Sequence, residues 1–271
     1  MKTILLGRDS NLSRALAAHL PDAHLISARA LLAGEADLGL DGGPTRLVLN
    51  SFQPATRLRD VDDPVGYVDR AIGATAKALE ACVRAGGVTR VLYTSSASVY
   101  GDNIECRESD PPRGSGLHSG LKVANEALVR QVCTGHGIDA TVVRLFNMYG
   151  GDDRFSIISK VIGAARDGSA LTLVNEGNAI RDFVHIDDVV RAYLALLDAP
   201  GVPVVNVASG VGVSIRNLID ALALHGIRIP TSSIRRDEIR VSTANVELLS
   251  RYVDPDGFIR VVDHVLAEAR A

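Results

Sequence analysis

The chain has 271 residues, 46% of them hydrophobic, enough to bury one large core or one core with a small lobe. Its formal net charge of -3 excludes a nucleic-acid-binding stripe and a basic membrane-facing surface, and no apolar run approaches the length of a bilayer span. Met1 through Gly7 reads as a short strand and turn rather than a secretory leader. Cys82, Cys106 and Cys133 lack the paired spacing of a zinc site or a disulfide framework, so the composition reads as a cytoplasmic protein without a metal.

Short β-rich apolar runs alternate with helical patterns, the rhythm of parallel βαβ units. Residues 2–6 predict a first strand and 13–20 an amphipathic helix stopped by Pro21. Strands follow at 24–27 and 46–50, the latter apolar enough for burial on both faces. A long helix is expected over 64–85, ended by Gly86 and Gly87. Strand 90–95 leads to Ser96, helix 119–136 carries Lys122 in its first turn, and strand 140–145 leads into Phe146. Beyond residue 151 the rhythm loosens, with strands near 171–174 and 204–207 and helices near 187–197 and 215–225. In open α/β sheets ligands sit beyond the carboxyl ends of strands, where Gly7, Ser96 and Asn147 fall.

The turn Gly7-Arg8-Asp9-Ser10-Asn11-Leu12-Ser13 has a small residue at every third position and a serine able to cap the next helix. An ordinary capped strand–turn–helix has the same appearance. The decisive blocks lie further on. They are Tyr93-Thr94-Ser95-Ser96-Ala97-Ser98-Val99-Tyr100-Gly101, then His118-Ser119-Gly120-Leu121-Lys122 with Glu126. Phe146-Asn147-Met148-Tyr149-Gly150 and Arg181-Asp182-Phe183-Val184-His185-Ile186-Asp187-Asp188 complete the set.

Together these blocks resemble the extended short-chain dehydrogenase/reductases of the NAD-dependent epimerase/dehydratase family, which modify nucleotide-linked sugars. The resemblance implies an α/β fold, a Rossmann-type doubly wound parallel sheet with a small interleaved C-terminal substrate lobe. Residues 1–150 would form the dinucleotide-binding domain and 151–271 mainly the substrate lobe. Family members place a serine or threonine, a tyrosine and a lysine at the reacting carbinol. Here Ser96 and Lys122 are in register, and His118 stands where the tyrosine belongs. By the same resemblance Gly7, Arg8, Ser10, Asn11, Leu12, Arg29 and Lys122 would meet the cofactor, and Ser98, Asn147, Arg181 and Arg235 the substrate. Arg181 would neutralise the diphosphate.

An acid at the end of the second strand would bind the ribose hydroxyls of NAD. None is present, and Arg8 and Arg29 lean towards NADP(H) over NAD(H). Three roles stay open for His118: general base or acid, orienting group, or mark of lost redox chemistry. The Asp-Glu pair of 4,6-dehydratases is replaced by Ala97 and Ser98, which argues against elimination. Ser98 also stands where the reductases that epimerise beside a ketone carry cysteine. The expected function is therefore 4-epimerisation or keto-sugar reduction on a nucleotide-linked sugar. A degenerate member that binds nucleotide or a partner as sensor or scaffold is the alternative, and redox-free lyase or isomerase chemistry a third. Analogy with the family also implies a homodimer through the helices at 64–85 and 119–136.

Overall fold

Residues 1–50 and 63–270 are described by the computed structural model. The first half contains β1 (Lys2–Leu6), α1 (Asn11–Ala17), β2 (Ala23–Ile26), α2 (Ala28–Ala33), β3 (Thr45–Leu49), α3 (Pro64–Val68), α4 (Ala74–Ala85), β4 (Val88–Ser96), β5 (Asn103–Cys106), α5 (Leu117–Gly135), β6 (Asp139–Leu145) and β7 (Asn147–Tyr149). The second half adds α6 (Ile157–Asp167), β8 (Leu171–Val174), β9 (Ile180–His185), α7 (Ile186–Leu197), β10 (Val204–Val207), β11 (Gly212–Ser214), α8 (Ile215–Leu224), β12 (Thr231–Ile234), β13 (Val241–Ala244) and α9 (Val261–Glu268).

The near-continuous apolar runs become one six-stranded sheet in the order β10-β6-β4-β3-β1-β2, parallel throughout. Side chains alternate between its faces, and both faces are covered. Ile4, Leu6, Leu47, Leu49, Val91 and Tyr93 share a core with Leu79 and Cys82 of α4 and Val129 and Cys133 of α5. Leu5, Val48, Leu92 and Val143 share the opposite core with Leu12 and Leu16 of α1 and Val189, Tyr193 and Leu196 of α7. Full burial of each such aliphatic side chain contributes about 1.5–3 kcal/mol, which is why period-two apolar strands commit to this layering. The expected α/β parallel-sheet fold is the one observed.

Strand order reverses between β1 and β3, so the ligand crevice of an open α/β sheet lies at the carboxyl ends of these strands. Gly7 follows β1 there and Asn50 follows β3. A second sheet, β11-β9-β13-β5 with β7 added against β9, lies beyond the carboxyl end of the first, and β12 pairs with β8. The two halves of the chain interleave. β5 pairs in parallel with β13, while β10 returns to pair with β6.

The expected helix over 64–85 is present without a break and carries one π turn. α3 begins on the Asp63 cap, whose side chain accepts the Gly66 N–H, with Pro64 in the first turn. A π turn at Asp69–Gly73 then precedes α4. The wider turn leaves the Ala71 carbonyl to accept a 2.8 Å hydrogen bond from Asn125 Nδ2 of α5, so the bulge locks the two helices together.

Candidate active site

β4 ends at Ser96, where the chain turns into one 3-10 turn over Ala97–Tyr100. Ser96 starts that turn by accepting the Ser98 N–H on its Oγ at 3.2 Å. The segment after β5 then folds back, and Arg113 and Gly114 both donate their N–H groups to the Val99 carbonyl at 2.9 Å. A Cβ on Gly114 would lie 1.9 Å from Ser119 Oγ and 2.1 Å from the Ser98 carbonyl. Only glycine lets the first turn of α5 approach the serine turn. Gly114→Ala is therefore expected to cost about 1–3 kcal/mol through overpacking, read as a lower urea midpoint at unchanged slope.

α5 carries His118, Lys122 and Glu126 at four-residue steps, one above the other on one face. Lys122 is 6% exposed; its Nζ donates to the Thr94 carbonyl at 2.8 Å and lies 5.2 Å from the centre of the Tyr93 ring. Glu126 is wholly buried and accepts Ser95 Oγ at 2.5 Å. It also pairs with Arg144 of β6, accepting Nε at 3.2 Å and the second guanidinium nitrogen at 2.9 Å. Ser95, Ser96, His118, Leu145, Phe146 and Met148 line a cleft of about 220 Å³. Burial, helped by the Lys122 charge, pushes the His118 imidazole down to about 4. Burial also lowers Lys122 to about 8, against the opposing pull of Glu126.

A larger cleft of about 740 Å³ is lined by Asn147, Lys160, Arg181, Phe183, Arg236 and Glu238 among others. Asn147 Nδ2 donates to the Asp182 carbonyl at 2.9 Å. Arg181 is held by the Ile180 and Ile239 carbonyls at 2.9 and 2.5 Å and by Glu238 at 3.4 Å. Asp182 lies beneath, its carboxylate accepting Ser209 N–H, Ser209 Oγ and Gly210 N–H at 2.7–2.9 Å, while burial raises it to about 6. Phe146 and Met148 of the first cleft flank Asn147 of the second, so one short segment borders both.

Ser96 and His118 thus share one cleft, with Lys122 on the same helix face, while Asn147 and Arg181 share the other. Ser98 sits in the serine turn with its hydroxyl buried and, among the described residues, unpaired. Arg235 is exposed and outside the lining of the larger cleft, where Arg236 appears instead. The Arg236 backbone is tied to Asn175, whose Nδ2 donates to its carbonyl and whose Oδ1 accepts its N–H at 3.2 Å.

Around the first turn, Gly7 and Arg8 donate their N–H groups to the Ile26 carbonyl at 2.9 and 3.0 Å. Ser10 caps α1, accepting the Ser13 N–H at 3.0 Å. The Leu12 side chain is in the core, and the Asn11 side chain clasps the turn after β7 through the Gly150 carbonyl and Asp152 N–H. Either residue can meet a phosphate only through its backbone amide, free of an intrahelical partner in the first turn. Arg8 is exposed with its guanidinium 3.4 Å from Asp9, and Arg29 is an exposed residue of α2.

Sequence reasoning missed Asn50, Arg236 and the cleft walls Leu145 and Met148. Asn50 carried a usable signal, a polar residue directly after a strand buried on both faces.

The chain matches the family model for the NAD dependent epimerase/dehydratase family over residues 43–208. It is 27% identical over 178 residues to a UDP-glucose 4-epimerase of Streptomyces lividans, covering 59% of this chain and 54% of that protein. It is 33% identical over 149 residues to a dTDP-4-dehydro-6-deoxy-D-allose reductase of a Streptomyces species, covering 51% and 46%. The chain spans about half the length of the curated relatives it matches. Its fold is that of MoeE5, solved in complex with UDP-glucuronic acid and NAD, with a TM-score of 0.83 at 23% identity, covering 100% of this chain and 99% of that one.

The expected preference for NADP(H) is overturned, since solved neighbours of the fold, MoeE5 and a UDP-glucuronic acid 4-epimerase of Bacillus cereus, are complexed with NAD. Asp9 also sets a negative charge 3.4 Å from the exposed Arg8 guanidinium. Serine turn, lysine helix and paired clefts thus belong to a chain more than half of which follows one family pattern. This protein belongs to the NAD dependent epimerase/dehydratase family.

Proposed function

We propose that this chain is an NAD-dependent enzyme acting on a nucleotide-linked sugar, as a 4-epimerase or keto-sugar reductase. The carrying observation is the joining of two clefts by the segment 146–148, one with Ser96 and His118 above Lys122, the other with Asn147 and Arg181. Relatives named as an epimerase and a reductase of such sugars support the same chemistry.

The residues present fit NAD. The 220 Å³ cleft has apolar walls in Leu145, Phe146 and Met148 and one buried ammonium nearby, suited to a planar ring with a ribose. At the other end, Asn50 Oδ1 is buried without a partner among the described residues, beside the turn after β1. Gly7, the amides of Asn11 and Leu12, and Lys122 would hold the cofactor. When bound, NAD supplies acceptance and return of a hydride.

Ser96 then aligns the reacting oxygen and His118 moves its proton. With burial holding His118 near 4, the imidazole is neutral at neutral pH and able to accept a carbinol proton. Its conjugate acid is strong, so the proton is readily returned, as an epimerisation cycle requires. Ala97 and Ser98 supply no carboxylate, so the reading excludes 4,6-dehydratase chemistry. Family analogy adds a homodimer through the outer faces of α4 and α5.

Ligand-stripped protein should bind NAD by calorimetry and convert a UDP- or dTDP-linked hexose or ketohexose to its 4-epimer or alcohol, read by chromatography. Arg181→Ala should raise the KM for the nucleotide sugar about 10–100-fold, the worth of one charge-assisted contact, with kcat nearly unchanged. Binding of NAD and sugar nucleotide without turnover of any of these would replace this reading with the binding-only alternative.

A further inference from the structure

Ser10 and Ser13 are the two small residues that follow Gly7 at three-residue steps in the turn after β1, and one residue engages both. Asn50 Nδ2 donates to Ser10 Oγ at 2.8 Å and to Ser13 Oγ at 3.0 Å. Its own N–H donates to the Leu6 carbonyl at 2.9 Å, at the end of β1. Asn50 is wholly buried, and its Oδ1 has no hydrogen-bond partner among the described residues.

Glycines in such a turn let the backbone come close to a pyrophosphate. Serines add bulk and two polar groups there, and unanchored they would leave the turn several alternative hydrogen-bonding arrangements. The Asn50 amide spends both hydrogens on selecting one of them. It therefore couples the ends of β1 and β3, the two strands that flank the crevice, to the first turn of α1. An unpaired buried carbonyl oxygen is unfavourable for stability alone.

We propose that Asn50 is the positioning residue of the cofactor turn, clamping Ser10 and Ser13 into the geometry that glycines provide elsewhere. The proposal rests on the NAD-binding reading and concerns how this chain achieves it. It predicts coupling between positions 40 residues apart in sequence, Ser10 and Asn50.

The test is a thermodynamic cycle on the full chain, read by NAD calorimetry and by hydrogen exchange of the cofactor-free protein. Asn50→Ala should weaken NAD binding roughly tenfold, as loss of a hydrogen-bonded clamp does. It should also speed exchange of the Ser13 and Arg14 amides. Ser10→Ala/Ser13→Ala, which keeps Asn50 and removes both acceptors, should reproduce both effects and guards against a folding defect in the first variant. In a Ser10→Gly/Ser13→Gly background, Asn50→Ala should change affinity by no more than roughly twofold, the additivity limit for uncoupled sites. Equal losses in the serine and glycine backgrounds, or unchanged exchange in Asn50→Ala, would overturn the clamp. Failure of the wild type to bind NAD would instead sink the functional reading, and the exchange result would still decide whether Asn50 holds the turn.

Discussion

His118→Ala is expected to lower turnover of the nucleotide sugar by about 10²–10⁴-fold, the usual contribution of a positioned acid–base group. The NAD dissociation constant should stay within about twofold, because the cofactor is held by other residues. Imidazole stands where the family has a phenol, which makes the pH profile the sharper readout. The base must be neutral, and burial beside Lys122 pushes its titration from the ordinary 6.5 down to about 4. Activity should therefore persist as pH falls through 6.5 and disappear only towards 4. On the alkaline side the Lys122 ammonium is lost near 8, again because of burial, and activity should decline there. Stability follows the same histidine. Between 6.5 and about 4 the unfolded chain binds the proton and the folded one does not, so stability is lost as pH is lowered through that window. An acid limb at 6.5 would show an exposed, unperturbed imidazole and would remove His118 from the cleft. In His118→Tyr the group titrates from near 10, so the optimum should move to alkaline pH.

The second large effect is one of stability. Glu126→Ala should cost about 3–5 kcal/mol, because it strands the Arg144 guanidinium in the core without a counter-charge. Arg144 is 3% exposed, Glu126 is wholly buried, and the carboxylate also accepts Ser95 Oγ. Removing it thus takes the acceptor from three donors, Ser95 Oγ of β4 and two guanidinium nitrogens of Arg144 on β6. It also takes away the charge that supports the Lys122 ammonium, so the alkaline limb should move lower. The companion Glu126→Leu/Arg144→Met should recover most of the loss, since apolar pairs of similar volume replace buried ion pairs at little cost. Urea unfolding of the three proteins decides. A loss below about 1 kcal/mol in the single variant would mean that water reaches the guanidinium.

Much of the sheet was legible because parallel strands buried on both faces cannot hide their apolar runs. β1 was expected at 2–6 and spans Lys2–Leu6, and β10 was expected at 204–207 and spans Val204–Val207. α6 was missed although Ser156 caps it and Gly168 closes it in the left-handed region, both local signals. β5, β7, β11 and β13 were missed for a different reason. They are three- or four-residue strands whose only warrant is a distant partner, as in the pairing of Asn103 with Ser242. The gap between 51 and 62 falls outside the described residues and contributes to neither account.

Determined by the sequence alone were the layered α/β plan, the serine turn, the lysine one helical turn beyond a histidine, and the arginine block of the larger cleft. These are local facts, carried by side-chain periodicity, by caps and by motif spacing within a few turns of chain. Tertiary structure alone decided that Arg236 and not Arg235 lines the cleft, and that Asn50 braces two serines. It also decided how far His118 and Lys122 titrate from their ordinary values. Orientation, partnership and desolvation depend on strands and helices brought together from far along the chain, and no local pattern encodes the dielectric or the partner that a side chain meets there.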